Sequence, residues 1–302
     1  MIHLNKNHKN KPMPPKFTWI TLLIIGIIDI VRGLMHTFFM EQAIATFAHL
    51  DYSATNISDQ LFQMNTLGIS NIISGILFII VALKAKKYAD IALLYLVISH
   101  IIGFISIPIN NIENTSDFLG KYIMLAYIGL CLLAFIVSKL YMITHKKNDD
   151  PNLVDYKESN QSHEYLPKLA PIILIILGCV DLVRAYAHTL NISYAAANIA
   201  GYDFTDPHID DLLILMVAFG ISNITTGLLH ITIARKVPKN SEVILLLIPI
   251  MYFLGGINLR IMGIEPESQL LGQYMMIGYF AICIVAFIYT RIKIYNYRRK
   301  IK

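Results

Sequence analysis

Residues 17–40 read FTWITLLIIGIIDIVRGLMHTFFM, and residues 169–192 read LAPIILIILGCVDLVRAYAHTLNI. Each run is long and apolar enough to cross a bilayer, which takes about 20 helical residues. Each also carries Asp-x-x-Arg-x-x-x-His: Asp29, Arg32 and His36 in the first, Asp181, Arg184 and His188 in the second. Ionised side chains inside a span are costly, so a charged motif met twice marks a place to look for function. The two runs open a longer match. Residues 17–142 align with residues 169–294 without a gap at a constant offset of 152, and about one aligned position in three is identical, in loops as well as in spans. That is the pattern of a duplicated unit.

The rest of the chain fits the same class. Of its 302 residues 56% are hydrophobic and 15% charged, too apolar a balance for a soluble domain. Eight apolar segments can be marked, at 17–40, 62–83, 91–109, 119–142, 169–190, 212–233, 243–261 and 270–292. They are too long and too uniformly apolar for membrane β-strands, so the expected fold is an all-α polytopic membrane protein of eight transmembrane helices. Four spans per unit return the chain to its starting side, which makes the two four-helix repeats parallel, not inverted. The implied layout is a tail at 1–16, repeat 1 at 17–142, a polar linker at 143–168, repeat 2 at 169–294 and a basic tail at 295–302.

Basic residues fix the expected orientation, because Lys and Arg in short loops stay cytoplasmic. The amino-terminal tail, the second, fourth and sixth connections and the carboxyl-terminal tail together hold 21 of the 25 Lys and Arg residues. The alternate loops are acidic, with Asp51 and Asp59, then Glu113 and Asp117, then Asp203, Asp206, Asp210 and Asp211. Both termini are therefore expected in the cytoplasm of an integral membrane protein. The first run follows a polar tail and lacks a small-residue cleavage site, so it reads as a retained span. The net charge of +5 is explained by this topology and does not call for nucleic acid; the Arg298-Arg299-Lys300 cluster suits anionic headgroups.

Within the first span Asp29 lies about 12 residues, or ~18 Å, from the cytoplasmic end, near the midplane, with Arg32 and His36 further out. At 100° per residue, offsets of three and seven keep all three side chains in one sector, and Arg32 can pair with Asp29 one turn away. Asn71 on the second span and Tyr122 and Tyr127 on the fourth lie at compatible depths, with Glu113 in the loop above. Asn223, Tyr274, Tyr279 and Glu265 repeat the set around Asp181, Arg184 and His188. An acid, a permanent cation, an imidazole, an amide and two phenols can bind a small polar or anionic ligand, or relay protons through His and a desolvated Asp. They can equally form a buried ion pair that fixes helix register.

Other chemistries find little support. No Cys-x-x-Cys, no His-x-x-x-His on a span, no Walker loop, no dinucleotide fingerprint and no Gly-x-Ser-x-Gly is present, so no metal site or cofactor is assigned. Cys131, Cys179 and Cys283 read as small apolar residues. Facing haem histidines are not offered either, since His100 is matched by Tyr252. The halves differ near the outer mouth, where Lys121 is matched by Gln273, Pro108 by Arg260, Gly33 by Ala185 and Leu34 by Tyr186. Two related but inequivalent pockets are expected.

A polar first helix ending in His-Thr (His36-Thr37, His188-Thr189) precedes a second helix with Gly-Ile-Ser-Asn and a later Gly (Gly68 to Asn71 and Gly75, Gly220 to Asn223 and Gly227). In this architecture each half resembles the DoxX-like and related small four-helix membrane families. The resemblance implies quinone-linked redox work, although the chain shows no diagnostic cofactor motif. The residues themselves favour an outward-facing polar pocket in each repeat that binds or transports a small solute or protons. The alternatives are a quinone-linked membrane oxidoreductase and a non-catalytic scaffold with structural ion pairs. Gly68 and Gly75 lie on one helix face and are read as a close-packing surface, not as ligand contacts. Nothing in the sequence sets the oligomeric state.

Overall fold

The computed structural model describes residues 13–48, 51–113, 119–145, 167–266 and 271–301. Most of the amino-terminal tail, Asp117 and nearly all of the linker expected at 143–168 lie outside the described residues. The chain is helical throughout the described residues, with no strand. In order come α1 (Lys16–Phe38), the single turn α2 (Met40–Ala43), α3 (Ile57–Lys84), α4 (Ala89–Ile109), α5 (Leu119–Thr144), α6 (Leu169–His188), the single turn α7 (Ile192–Ala195), α8 (Ile209–Lys236), α9 (Ser241–Ile261) and α10 (Leu271–Ile301). The eight long helices are each apolar enough to cross a membrane. From α7 onward every element starts 152 residues after its counterpart in the first half, including the π turns Ile44–Ala48 and Ala196–Ala200 and the 3-10 turns Lys86–Tyr88 and Pro238–Asn240.

Three boundaries differ from the sequence reading. α3 and α8 begin at Ile57 and Ile209, several residues earlier than their apolar cores, because Asp59, Asp210 and Asp211 suit a helix N-terminus. α10 runs on through the basic tail to Ile301, since Ile292 to Ile301 contains no Gly or Pro to stop it. The turns α2 and α7 were not visible as periodicity. They are too short to show one.

α3 and α8 form the centre. Their most apolar windows are 72% buried, against 17–44% for the other six long helices. Only helices surrounded by protein can carry polar groups on several faces, and α3 does so with Ser70, Asn71 and Ser74. The outer helices instead present apolar side chains such as Ile24, Val31, Val183 and Val285 outward, as lipid contact requires.

Glycine sets the closest approach. Gly26 and Gly33 of α1 stand opposite Gly75 and Gly68 of α3, and a Cβ on any of the four would lie 2.5–2.9 Å from the facing glycine's carbonyl oxygen. Backbone therefore packs on backbone, as small-residue faces permit. In the second half Gly178 and Gly227 make the same contact. At the basic end, Lys139 of α5 grips the buried Asp90 of α4 at 2.5 Å, and Arg291 of α10 meets Glu242 of α9 at 3.4 Å. These are equivalent positions, with Glu in place of Asp and Arg in place of Lys.

The halves meet across α3 and α8. Ser70 and Ser222 share a hydrogen bond of 2.7 Å. Gly103 of α4 receives Ile221 of α8, while Gly255 of α9 receives Ile69 of α3. Asn258 donates to the Thr37 carbonyl at 2.6 Å and Asn110 to the Thr189 carbonyl at 3.1 Å, so each third long helix holds the end of the other half's first. At the acidic end the Thr55 hydroxyl donates to Asp206 at 2.5 Å, joining two loops. The Ser53 hydroxyl and amide hold the Asp51 carboxyl below the usual carboxylate range, and the Thr205 amide and hydroxyl do the same for Asp203.

Candidate functional site

In the first half α1, α3 and α5 converge on Asp29, which is 2% exposed. Tyr127 of α5 donates to its Oδ1 at 2.8 Å, Ser74 of α3 donates to Oδ2 at 3.2 Å, and Arg32 Nη2 lies 3.2 Å from Oδ1. Arg32 then reaches outward from the acid. It donates to Asn71 Oδ1 at 2.9 Å and to Met124 Sδ at 2.8 Å, with its guanidinium 5.6 Å from the Tyr127 ring centre. The carboxylate is fully engaged, as a buried charge must be.

The groups around it are not. Arg32 Nε, Asn71 Nδ2 and His36 Nδ1 are all buried without a hydrogen-bond partner. All three residues line a cavity of about 580 Å³ bounded by α1, α3, α4, α5 and α8, within the size range of small-molecule sites. His100 of α4 also lines it, and its Nδ1 donates to the Leu96 carbonyl of its own helix at 2.8 Å. The cavity wall is otherwise mostly apolar, with Lys121 and Asp211 at the acidic end.

In the second half the same framework is closed. Asp181, 3% exposed, takes Tyr279 at 3.2 Å, Arg184 at 3.4 Å and, in place of the serine, His230 Nδ1 at 3.0 Å. Arg184 donates to the Tyr252 hydroxyl and lies 5.2 Å from the Phe219 ring centre. Asn223 Nδ2 lies 3.3 Å from His188 Nδ1, whose ring stacks on Phe219. About 20 Å³ of space is left among these groups, room for one water. Three substitutions distinguish the halves here, one of them Phe219 where the first half has Leu67. Tyr252 stands where the first half has His100, and His230 where it has Phe78.

Of the residues anticipated from sequence, Asp29, Arg32, Asn71 and Tyr127 come together with His36 at the cavity wall, and Asp181, Arg184, His188, Asn223 and Tyr279 come together in the second half. Tyr122 and Tyr274 do not join them. They are 57% and 73% exposed, because five residues along a helix turn the side chain about 140° away from Tyr127 or Tyr279. Glu113 and Glu265 stay exposed in the end loops, and the Glu113 amide donates to Asp210 at 3.2 Å. Asn71 lies 14 residues into α3, deeper than its apolar core alone suggested.

Ser74, His100, His230 and Tyr252 are the site residues that motif reading did not assign. Ser74 lies three residues from Asn71 and His230 seven from Asn223, so helical spacing alone would place each beside an assigned residue. Among the described residues no three His, Cys, Asp or Glu side chains converge on one point.

Fold and site together define an all-helical polytopic membrane protein with buried charges and an interhelical cavity of about 580 Å³. No protein-family model, curated protein or solved structure matches the chain.

Proposed function

We propose that this protein binds, and moves across or within the membrane, a small solute held in the amino-terminal pocket at Asp29, Arg32, His36 and Asn71. In this reading the chain arose by duplication of a four-helix unit, the termini are cytoplasmic and the pocket opens towards the outside. The single supporting observation is the contrast between halves. Where Asp181 and Arg184 are engaged by the chain's own side chains, Arg32, His36 and Asn71 each keep a buried nitrogen without a partner and line a cavity of about 580 Å³. Buried polar atoms normally find partners, and three unpartnered nitrogens in the first-half site, against His230 Nε2 in the second, are the pattern of a site that a ligand completes. A cavity of that size exceeds what a proton relay needs, which favours a solute over protons. The second site then acts as the brace that buried ion pairs often provide.

Native mass spectrometry of detergent-extracted protein tests the reading. The wild type should retain a small-molecule adduct, and Arg32→Met combined with Asp29→Leu should fold with near-wild-type thermal stability yet lose it. The matching change at Asp181 and Arg184 should leave the adduct in place. An adduct unaffected by the first pair of changes contradicts the proposal.

A further inference from the structure

The second half shows what completes a site of this kind. Tyr252 projects into the space that His100 leaves open, and its hydroxyl takes a hydrogen bond from Arg184 while its ring lies 5.1 Å from that of Phe280. An oxygen acceptor on an uncharged, apolar body thus fills the pocket from within. In the first half the donors Arg32 Nε and Asn71 Nδ2 lack such an acceptor, and Asn71 is 1% exposed.

Two further observations describe the missing group. Ile27, Ile28 and Val31 of α1, Phe104 of α4 and Ile123 of α5 line the cavity and are also 41–54% exposed on the lipid-facing surface, so the cavity communicates with the bilayer through an apolar side. Its formal charges balance: Asp29 and Asp211 against Arg32 and Lys121. A charged head would enter with no counter-charge left for it, at a cost that membrane burial makes steep.

We infer that the first-half pocket takes an uncharged amphiphile from the bilayer, with its oxygen-acceptor head on Arg32 and Asn71 and its apolar body between α1, α4 and α5, in the place that Tyr252 occupies in the second half. This rests on the amino-terminal pocket being a ligand site and adds the class of ligand.

A diazirine-bearing 4-alkylphenol, which copies the Tyr252 side chain on an alkyl tail, is the probe. It is applied to the full chain in phosphatidylcholine vesicles beside an alkylcarboxylate carrying the same tail and diazirine. The phenol should crosslink to α1, α4 or α5, and excess unlabelled 4-heptylphenol should suppress the crosslink. Losing the Arg32 hydrogen bond in Arg32→Met, or filling the space in His100→Tyr, should lower labelling about tenfold or more. Tyr252→His, which removes bulk, should open the second pocket and bring labelling to α6, α9 or α10, so the test does not depend on the larger residue being accommodated at position 100. Labelling indifferent to His100→Tyr and to Tyr252→His, or stronger with the carboxylate, overturns the inference. If the phenol does not label the cavity while the retained adduct is still lost with Asp29 and Arg32, the ligand class is wrong and the pocket stands. If the adduct is also unaffected, both fail.

Discussion

The hydroxyls of Ser70 and Ser222 lie 2.7 Å apart at the contact of α3 with α8, and the two residues are 152 positions apart in the chain. The contact joins matching positions of the two central helices. The seats of Ile221 against Gly103 and Ile69 against Gly255 are likewise offset by 152 positions.

Both serines are buried, so the pair should behave as a unit. Ser70→Ala or Ser222→Ala alone leaves one hydroxyl without its partner and should cost about 1 kcal/mol, while the double change should cost little more than either single one. Thermal unfolding in detergent measures the cycle, and fully additive losses would show that the hydroxyls do not depend on each other.

Glycine positions should sort by the space around them. Gly33→Ala places a methyl against the Gly68 carbonyl and Ile72 and should destabilise by about 1–3 kcal/mol, whereas Gly129→Ala meets nothing within 4 Å and should be neutral or mildly stabilising. Equal effects at the two positions would show that α1 and α3 are not held backbone to backbone.

Removing one partner of the first-half ion pair should be worse than removing both. Asp29→Leu alone leaves Arg32 without its counter-charge and should cost about 3–5 kcal/mol, while the double change with Arg32→Met should recover most of that stability. Tyr127→Phe, which deletes the 2.8 Å donor to Asp29, should cost about 1.5–3 kcal/mol. The readout is the same unfolding assay, and a double change as damaging as Asp29→Leu alone would contradict the pairing.

Orientation is checked by labelling single cysteines introduced in a cysteine-free background. A cysteine at Ser53, exposed in the acidic loop, should react with an impermeant reagent added outside intact cells, and one at Lys87 should react only after permeabilisation. The reverse pattern would invert the proposed topology.

What the sequence made legible follows from what periodicity encodes. Apolar length marked the spans, and spacing within one helix put Asp29, Arg32 and His36 in a single sector. The same arithmetic, applied to α5, separates Tyr122 from Tyr127. The inequivalence of the halves was legible as substitutions, but its sense was not. That Tyr252 closes a pocket which His100 leaves open depends on His100 donating to its own helix at Leu96, and on α4 and α9 packing against the opposite half. Contacts between helices distant in the chain leave no period to read. The Asp90–Lys139 and Glu242–Arg291 clamps were hidden for a related reason: each looks like loop charge until α4 meets α5 and α9 meets α10.

The central claim is that the first-half pocket is a ligand site and the second is filled by the chain itself. An experimental density map of the purified protein, at a resolution that shows side chains, tests it most directly. The account predicts non-protein density in the first-half cavity against Arg32 and Asn71, with Tyr252 on Arg184 and no comparable density in the second half. A first-half cavity collapsed onto its own side chains, with Arg32 Nε and Asn71 Nδ2 satisfied by the chain, would contradict it.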